Sequence, residues 1–210
     1  RLRRVSAAAP PPPSRENPGT RFPAPLSSCA MREVVPIRER KLDYLFVGFF
    51  LLNLLFITPI VDMEQLMIDD PKDFDYPVWP PKPFVDLIPW YGSNFDPPLM
   101  ARPAWWRATI WIDQLFFFPF YAAGIWSFIK GKDGIRNWCF IWASVMMTNV
   151  TIILFEETVG PHATDSLALV YLLNLPWFSI PIVLMWRMWS TTTPFTREAT
   201  EGGASDGARW

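Results

Sequence analysis

Two aspartates inside otherwise apolar stretches are the residues best placed to do chemistry. Asp62 follows Pro59 near the end of the first apolar run, and Asp113 lies in the first half of the second. An ionisable side chain within a membrane span costs a few kcal/mol on insertion scales, so its presence points to a function. Two carboxyls together in a low dielectric share a proton or attract a cation, because both cannot ionise cheaply. The predicted chemistry is an acidic pocket.

Such a pocket needs membrane helices to position it. Half of the 210 residues are hydrophobic, and they gather into four runs separated by charged, proline-rich stretches. Each run approaches the ~20 residues that a helix needs to cross a bilayer, and the second has almost no polar face, unlike a core helix of a soluble protein. The runs cover roughly residues 42–66, 108–129, 137–155 and 166–188. The sequence predicts an all-α, integral membrane four-helix bundle.

Charge sets the orientation of these spans, because basic loops resist translocation. Arg and Lys precede the first span, fill the second connection and follow the fourth span, which places both termini on the same side. The first connection, residues 67–107, is rich in Asp, Pro and Trp and is predicted to form an ordered cap on the opposite side. Its indoles are expected at the headgroup boundary; they are Trp79, Trp90, Trp105 and Trp106.

Other interpretations of the same residues stay open. Asp62 could cap the first helix, and Asp113 could hydrogen-bond a neighbouring helix. Prolines inside three of the spans predict kinks that leave space in the bundle; they are Pro59, Pro119, Pro176 and Pro181. Asn53, Asn174 and Trp177 could add hydrogen bonds to that space.

The chain offers little for other chemistries. His162 stands alone in the third connection, so no metal site and no cofactor is predicted. Cys29 and Cys139 fall in a tail and a span, so no structural disulfide is expected. The sequence has no glycine loop for phosphates and no basic patch for nucleic acid.

Three regions follow from composition: an arm (1–41), a membrane domain (42–188) and a polar, mobile tail (189–210). Residues 1–30 are rich in Arg, Ala, Ser and Pro, which is typical of an organelle transit peptide. The alternative is a flexible tail or translated upstream sequence with Met31 as the start.

Several motifs in order point to a family. They are ITPIVDMEQL, WYGSNFDPPLMARPAWW, DQLFFFP, FIKGKDGIRNW and the FEE that ends the third span. In this order and spacing the sequence resembles the EXPERA family, which includes the sigma-2 receptor and the emopamil-binding sterol isomerase, and is most similar to the sigma-2 type. The resemblance covers roughly residues 42–188.

The resemblance implies a cavity, entered from lipid, for sterols or amphipathic amines. Asp62 looks like the acid that pairs with a ligand amine, and Asp113 like its hydrogen-bonded partner, where the family usually has Glu. Tyr91 and Phe95 look like entrance residues, and Asp96 like a structural capping acid. Three further residues are predicted ligand contacts: Asn174 and Trp177, which resemble the isomerase pocket, and Phe117.

Departures from the family pattern shape the functional prediction. Thr109 stands where the isomerase has a His, so isomerase activity is not expected. The predicted function is a non-catalytic protein that binds a sterol, related lipid or amphipathic amine. The alternative is an accessory subunit of a larger mitochondrial or plastid membrane complex, clamped by the N-terminal arm. The family resemblance implies the endoplasmic reticulum, but the tail lacks the lysines of a retrieval signal.

Overall fold

Four long apolar helices form the body of the protein. The computed structural model of the chain describes residues 32–199, so the transit-like segment, Cys29 and the last residues of the tail lie outside the described part. The four long helices are α1 (Asp43–Met67), α4 (Ala104–Lys130), α5 (Arg136–Val159) and α6 (Leu167–Trp189). Each is long and apolar enough to cross a membrane. The predicted four-span helical fold is confirmed, with boundaries shifted by up to four residues.

Short elements complete the fold. The first connection contains α2 (Lys82–Phe95) and α3 (Pro97–Ala101). Two three-residue strands, β1 (Arg32–Val34) and β2 (Thr196–Glu198), flank the four helices and pair antiparallel, with Arg32 opposite Glu198. This pairing brings the segments beside the two termini together at one end of the bundle, as the charge pattern predicts. We call this the terminal end and the opposite one the cap end.

The half of the bundle nearest the terminal end is packed solidly with aromatic rings. Phe50 is fully buried and contacts Trp142 and Phe128 edge-on, with ring centroids 5.4 and 5.8 Å apart. Phe120 stacks on Trp142 at 5.2 Å. Aromatic side chains bury large areas and gain further from such geometry. This core fixes the helices on the side of the bundle opposite to the cap end.

A buried ionic cluster closes the terminal end. Asp43 is fully buried and accepts hydrogen bonds from Arg40 and, at 3.3 Å, from Arg187. Phe195 is fully buried beside both guanidinium groups, and its backbone N–H donates to Asp133 Oδ1 at 2.7 Å. The prediction of a mobile tail is therefore wrong for residues 190–199, because this buried aromatic ring docks the segment against the helices.

The cap connection packs along the side of α1 as well as over its end. Trp79 donates its indole N–H to the Pro59 carbonyl at 2.6 Å, and Phe84 meets Phe56 with ring centroids 5.6 Å apart. Trp79 and Trp90 are exposed, as expected of membrane-boundary indoles. Trp106 is only 5% exposed, so its predicted boundary role is wrong. Its indole N–H is instead bonded to Gln65 Oε1 inside the bundle.

Candidate functional site

A cavity of about 410 Å³ occupies the cap-end half of the bundle. That volume lies within the range of small-molecule pockets. Its wall is mostly apolar, and three carboxyl groups interrupt it: Asp62 from α1, Asp113 from α4 and Asp96 between α2 and α3. The two aspartates predicted to form a pocket therefore line one cavity.

Irregular helical turns position both intramembrane aspartates. In the middle of α1 the chain forms a π-helix over Asn53–Asp62, which contains Pro59 and ends at the first aspartate. In α4 a π-helical turn over Asp113–Phe117 begins at the second, and Pro119 follows just after α-geometry resumes. Such turns place an extra residue in the backbone ring and occur often at functional sites. Two of the predicted prolines thus flank or interrupt the segments that carry the acids.

Hydrogen bonds orient the deep pair of acids. Thr58 donates its hydroxyl to Asp113 Oδ1 at 2.6 Å, while Gln114 donates its amide to the Thr58 carbonyl at 2.6 Å. The carboxyls of Asp62 and Asp113 face each other within hydrogen-bonding range. Asp62 is 7% exposed, and no donor among residues 32–199 reaches its Oδ2. Apart from the Asp113 carboxyl, this oxygen therefore has no hydrogen-bond partner in the described part of the chain.

A second pair of carboxyls lies nearer the cap. Asp96 is 6% exposed, and its carboxyl is within hydrogen-bonding range of Glu157, which α5 contributes and which is 0% exposed. Burial raises the pKa of Asp96 above its usual range. Burial also raises the pKa of Tyr91 to about 12, with smaller contributions from the Asp96 and Glu157 carboxylates. Tyr91 thus lies close to both acids.

Comparison with known proteins supports the family resemblance. The profile of the EXPERA family (EXPanded EBP superfamily) matches residues 83–188, just over half of the chain. The chain belongs to the EXPERA family. It is 27% identical to the sigma intracellular receptor 2 of Macaca fascicularis over 165 residues, which is 72% of this chain and 89% of that protein. It is 26% identical to the Homo sapiens protein of the same name over 164 residues, 71% of this chain and 88% of that one.

The remaining predicted contacts of this EXPERA cavity are mostly in its wall. Tyr91, Phe117, Asn174 and Trp177 all line it. The Trp177 indole N–H is already used, since it donates to Asn53 Oδ1 at 2.8 Å. Likewise the Asn174 amide donates to the Val170 carbonyl at 2.9 Å, which leaves its side-chain oxygen for other partners.

Of two further predicted residues, Phe95 lies outside the cavity wall and Asp96 lies within it. Phe95 is not part of the cavity wall: its ring packs against Tyr91, 5.6 Å between centroids, because α2 turns it away from the space. Asp96 does hold the capping position of α3, where its backbone carbonyl accepts the Leu99 N–H at 3.1 Å. Its carboxyl also lines the cavity and lies beside Glu157.

Glu157, Gln65 and Trp106 are among the lining or supporting residues that sequence reasoning missed. Glu157 lies beyond the apolar run predicted for the third span (137–155), yet it lies one helical turn after Ile153, which lines the cavity with Val150. The spacing of these three positions is that of one helix face, and that periodicity could have revealed it. Gln65 and Trp106 pair across the wall, a contact between distant segments with no local signal in the sequence.

Groups for other chemistries are sparse in the described region. His162, the only histidine of the chain, bonds to Glu156 at 2.7 Å in the loop after α5. Among residues 32–199 no cluster of three His, Cys, Asp or Glu side chains is arranged to hold a metal ion. Thr109 lines the cavity, and its hydroxyl donates to the Trp106 carbonyl at 2.8 Å.

Proposed function

We propose that this membrane protein binds a sterol or an amphipathic amine in its cap-end cavity without transforming it. The observation that carries this proposal is the buried carboxyl of Asp62 beside Asp113, with no cationic partner among residues 32–199, in the wall of a mostly apolar cavity. A pair of carboxyls that shares one proton carries one negative charge, which matches one ammonium group. The same pair can accept a hydrogen bond from a sterol hydroxyl, while the apolar wall receives the rings.

The surroundings of the pair favour binding over catalysis. Sterol isomerisation needs one group to protonate a carbon and another to remove a proton. Thr109 occupies the position where the family's isomerase has a His, and its hydroxyl is engaged with the backbone. The sole His lies in a connection outside the cavity wall. Turnover of a sterol with a ring double bond by the purified protein would contradict this part of the proposal.

The test compares two ligands that differ only in charge: an amine-bearing sterol and its neutral parent. Charge-assisted hydrogen bonds are worth about 1.5–3 kcal/mol, so Asp62→Asn should weaken amine binding roughly 10- to 100-fold. Binding of the neutral sterol should change much less. Asp113→Asn should weaken the amine less than Asp62→Asn does, because Asp62 keeps the negative charge and the amide can replace the donor of the shared proton.

Asp69→Asn is the matched control, since Asp69 is an exposed acid at the same end of the protein. It changes net charge equally but should leave both affinities unchanged. Equal amine affinity in wild type and both cavity variants would overturn the proposed site. The compartment remains a prediction, the endoplasmic reticulum by resemblance or a mitochondrial or plastid membrane.

A further inference from the structure

The pair formed by Asp96 and Glu157 lacks the cationic partners that two other buried acids, Asp43 and Glu64, have. Asp43 is met by two arginines, and Glu64 by Arg102. In contrast, no donor among residues 32–199 reaches Asp96 Oδ1 or either carboxyl oxygen of Glu157. Even when the two carboxyls share one proton, the remaining negative charge has no cation beside it in the described part of the chain, and burying such a charge is costly. The negative charge of this pair favours a cationic ligand.

The outer pair, Asp96 and Glu157, meets the same cavity as the deep pair through Asp96, which lines it, whereas Glu157 is buried outside the wall. Asp62 lies five residues before the end of α1, and Glu157 lies two residues before the end of α5. Asp113 lies nine residues after the start of α4. At 1.5 Å per residue the deep pair is roughly 5–10 Å further from the cap end than the outer one. The wall between them is apolar and includes Ile153.

We propose that Asp96 and Glu157 form a second cation subsite, so that the cavity selects amphiphiles with two basic groups joined by an apolar spacer. The inference rests on the proposed function, because the first ammonium group occupies the Asp62–Asp113 pair. Each pair carries one negative charge when it shares one proton, and the two pairs together match a dication. The apolar wall between them accommodates the spacer.

The test uses simple probes: n-alkylamines and α,ω-diaminoalkanes of increasing length, titrated into the purified full chain. In wild type, one range of diamine lengths should bind about tenfold more tightly than the monoamine of equal length, the gain expected from one added charged hydrogen bond. Diamines too short to reach both pairs should show no such gain.

Neutralising the outer pair separates charge recognition from a structural role. In the double variant Asp96→Asn, Glu157→Gln the two amides can still hydrogen-bond, which preserves a contact between cap and α5. The ratio of diamine to monoamine affinity should fall to about one at every diamine length. The control neutralises two exposed acids of the same connection, Asp73→Asn and Asp75→Asn, and should keep the preference for diamines.

The outcomes distinguish this proposal from the one on which it rests. Equal affinities for monoamines and diamines of every length in wild type, with Asp62→Asn weakening both, would overturn the outer subsite and leave the proposed function standing. If Asp62→Asn weakens neither probe, the proposed function fails too. The length series with the wild-type protein uses no variant, so it tests the inference even if the double variant fails to fold.

Discussion

Replacing Arg102 by methionine removes the guanidinium group that holds the cap connection against α1. Arg102 donates to both carboxyl oxygens of Glu64, at 2.8 and 2.9 Å, and to the Ile68 and Leu99 carbonyls. Both charged side chains are almost fully buried. Methionine has an unbranched side chain like arginine, and both residues are equally strained by the positive φ of 44° at this position. The change in stability therefore comes from the lost contacts of the guanidinium group.

Removing one partner of a buried ion pair leaves the other charge without compensation, which costs about 3–5 kcal/mol. For a protein of this size, 1 kcal/mol moves Tm by about 2–4 °C. We therefore expect Tm of the Arg102→Met protein to fall by roughly 6–20 °C. The double variant with Glu64→Gln should recover part of this loss, since an amide is cheaper than a carboxylate to bury without a cation.

Thermal unfolding can be measured through the thiol of Cys139. This thiol is free and fully buried, so a thiol-reactive fluorophore reports unfolding in mild detergent once Cys29 is replaced by serine. Arg107→Met is the matched control, because Arg107 pairs with Asp69 at 2.8 Å in the same region but the two side chains are 36% and 88% exposed. Exposed pairs contribute at most about 1 kcal/mol. A loss for Arg102→Met no greater than for Arg107→Met would refute the reasoning.

Three further predictions use the same thermal assay. Asp43→Asn should cost about 3–5 kcal/mol, since two arginines would face each other uncompensated. Burial raises the pKa of Asp96 in the folded protein above its ordinary value of about 3.9. The stability that Asp96 contributes is therefore complete below that pH and is lost as the pH rises through the pKa of the folded protein. Tm should decline over this pH range, and Asp96→Asn should make the decline smaller. Gly124→Val should lower the free energy of unfolding by about 1–3 kcal/mol, because a Cβ at this position already lies 3.1 Å from the Phe50 ring. Gly48→Ala is the control: a Cβ at position 48 has no other atom within 4 Å, so this variant should be neutral or stabilising.

The features set by the bilayer could be predicted from the sequence. A span must be apolar and about 20 residues long, so four runs predicted four helices. Consecutive spans are antiparallel, so the positions of Asp62 and Asp113 in their runs placed them at similar depth, and both line the cavity. Each of these inferences needs only sequence distance along a regular helix.

Contacts between distant segments could not be predicted in the same way. The bond from Trp106 to Gln65 and the ion pair of Arg102 with Glu64 join α1 to the chain more than 35 residues later. An indole near a helix end is usually a membrane anchor, so local composition favoured the wrong role for Trp106. Its actual place depends on how the cap connection folds back, and no single motif encodes that.

The π-helix of α1 explains why the first aspartate faces the cavity at all. Phe46, Phe50 and Asn53 follow helical spacing on the buried face of α1, but the next buried polar residue, Thr58, comes five positions later instead of four. From Thr58 the spacing of four resumes and reaches Asp62. A residue turns the helix by about 100°, so the extra one rotates everything after it by that angle. An uninterrupted α-helix would keep the aromatic core of α1 and direct Asp62 away from Asp113.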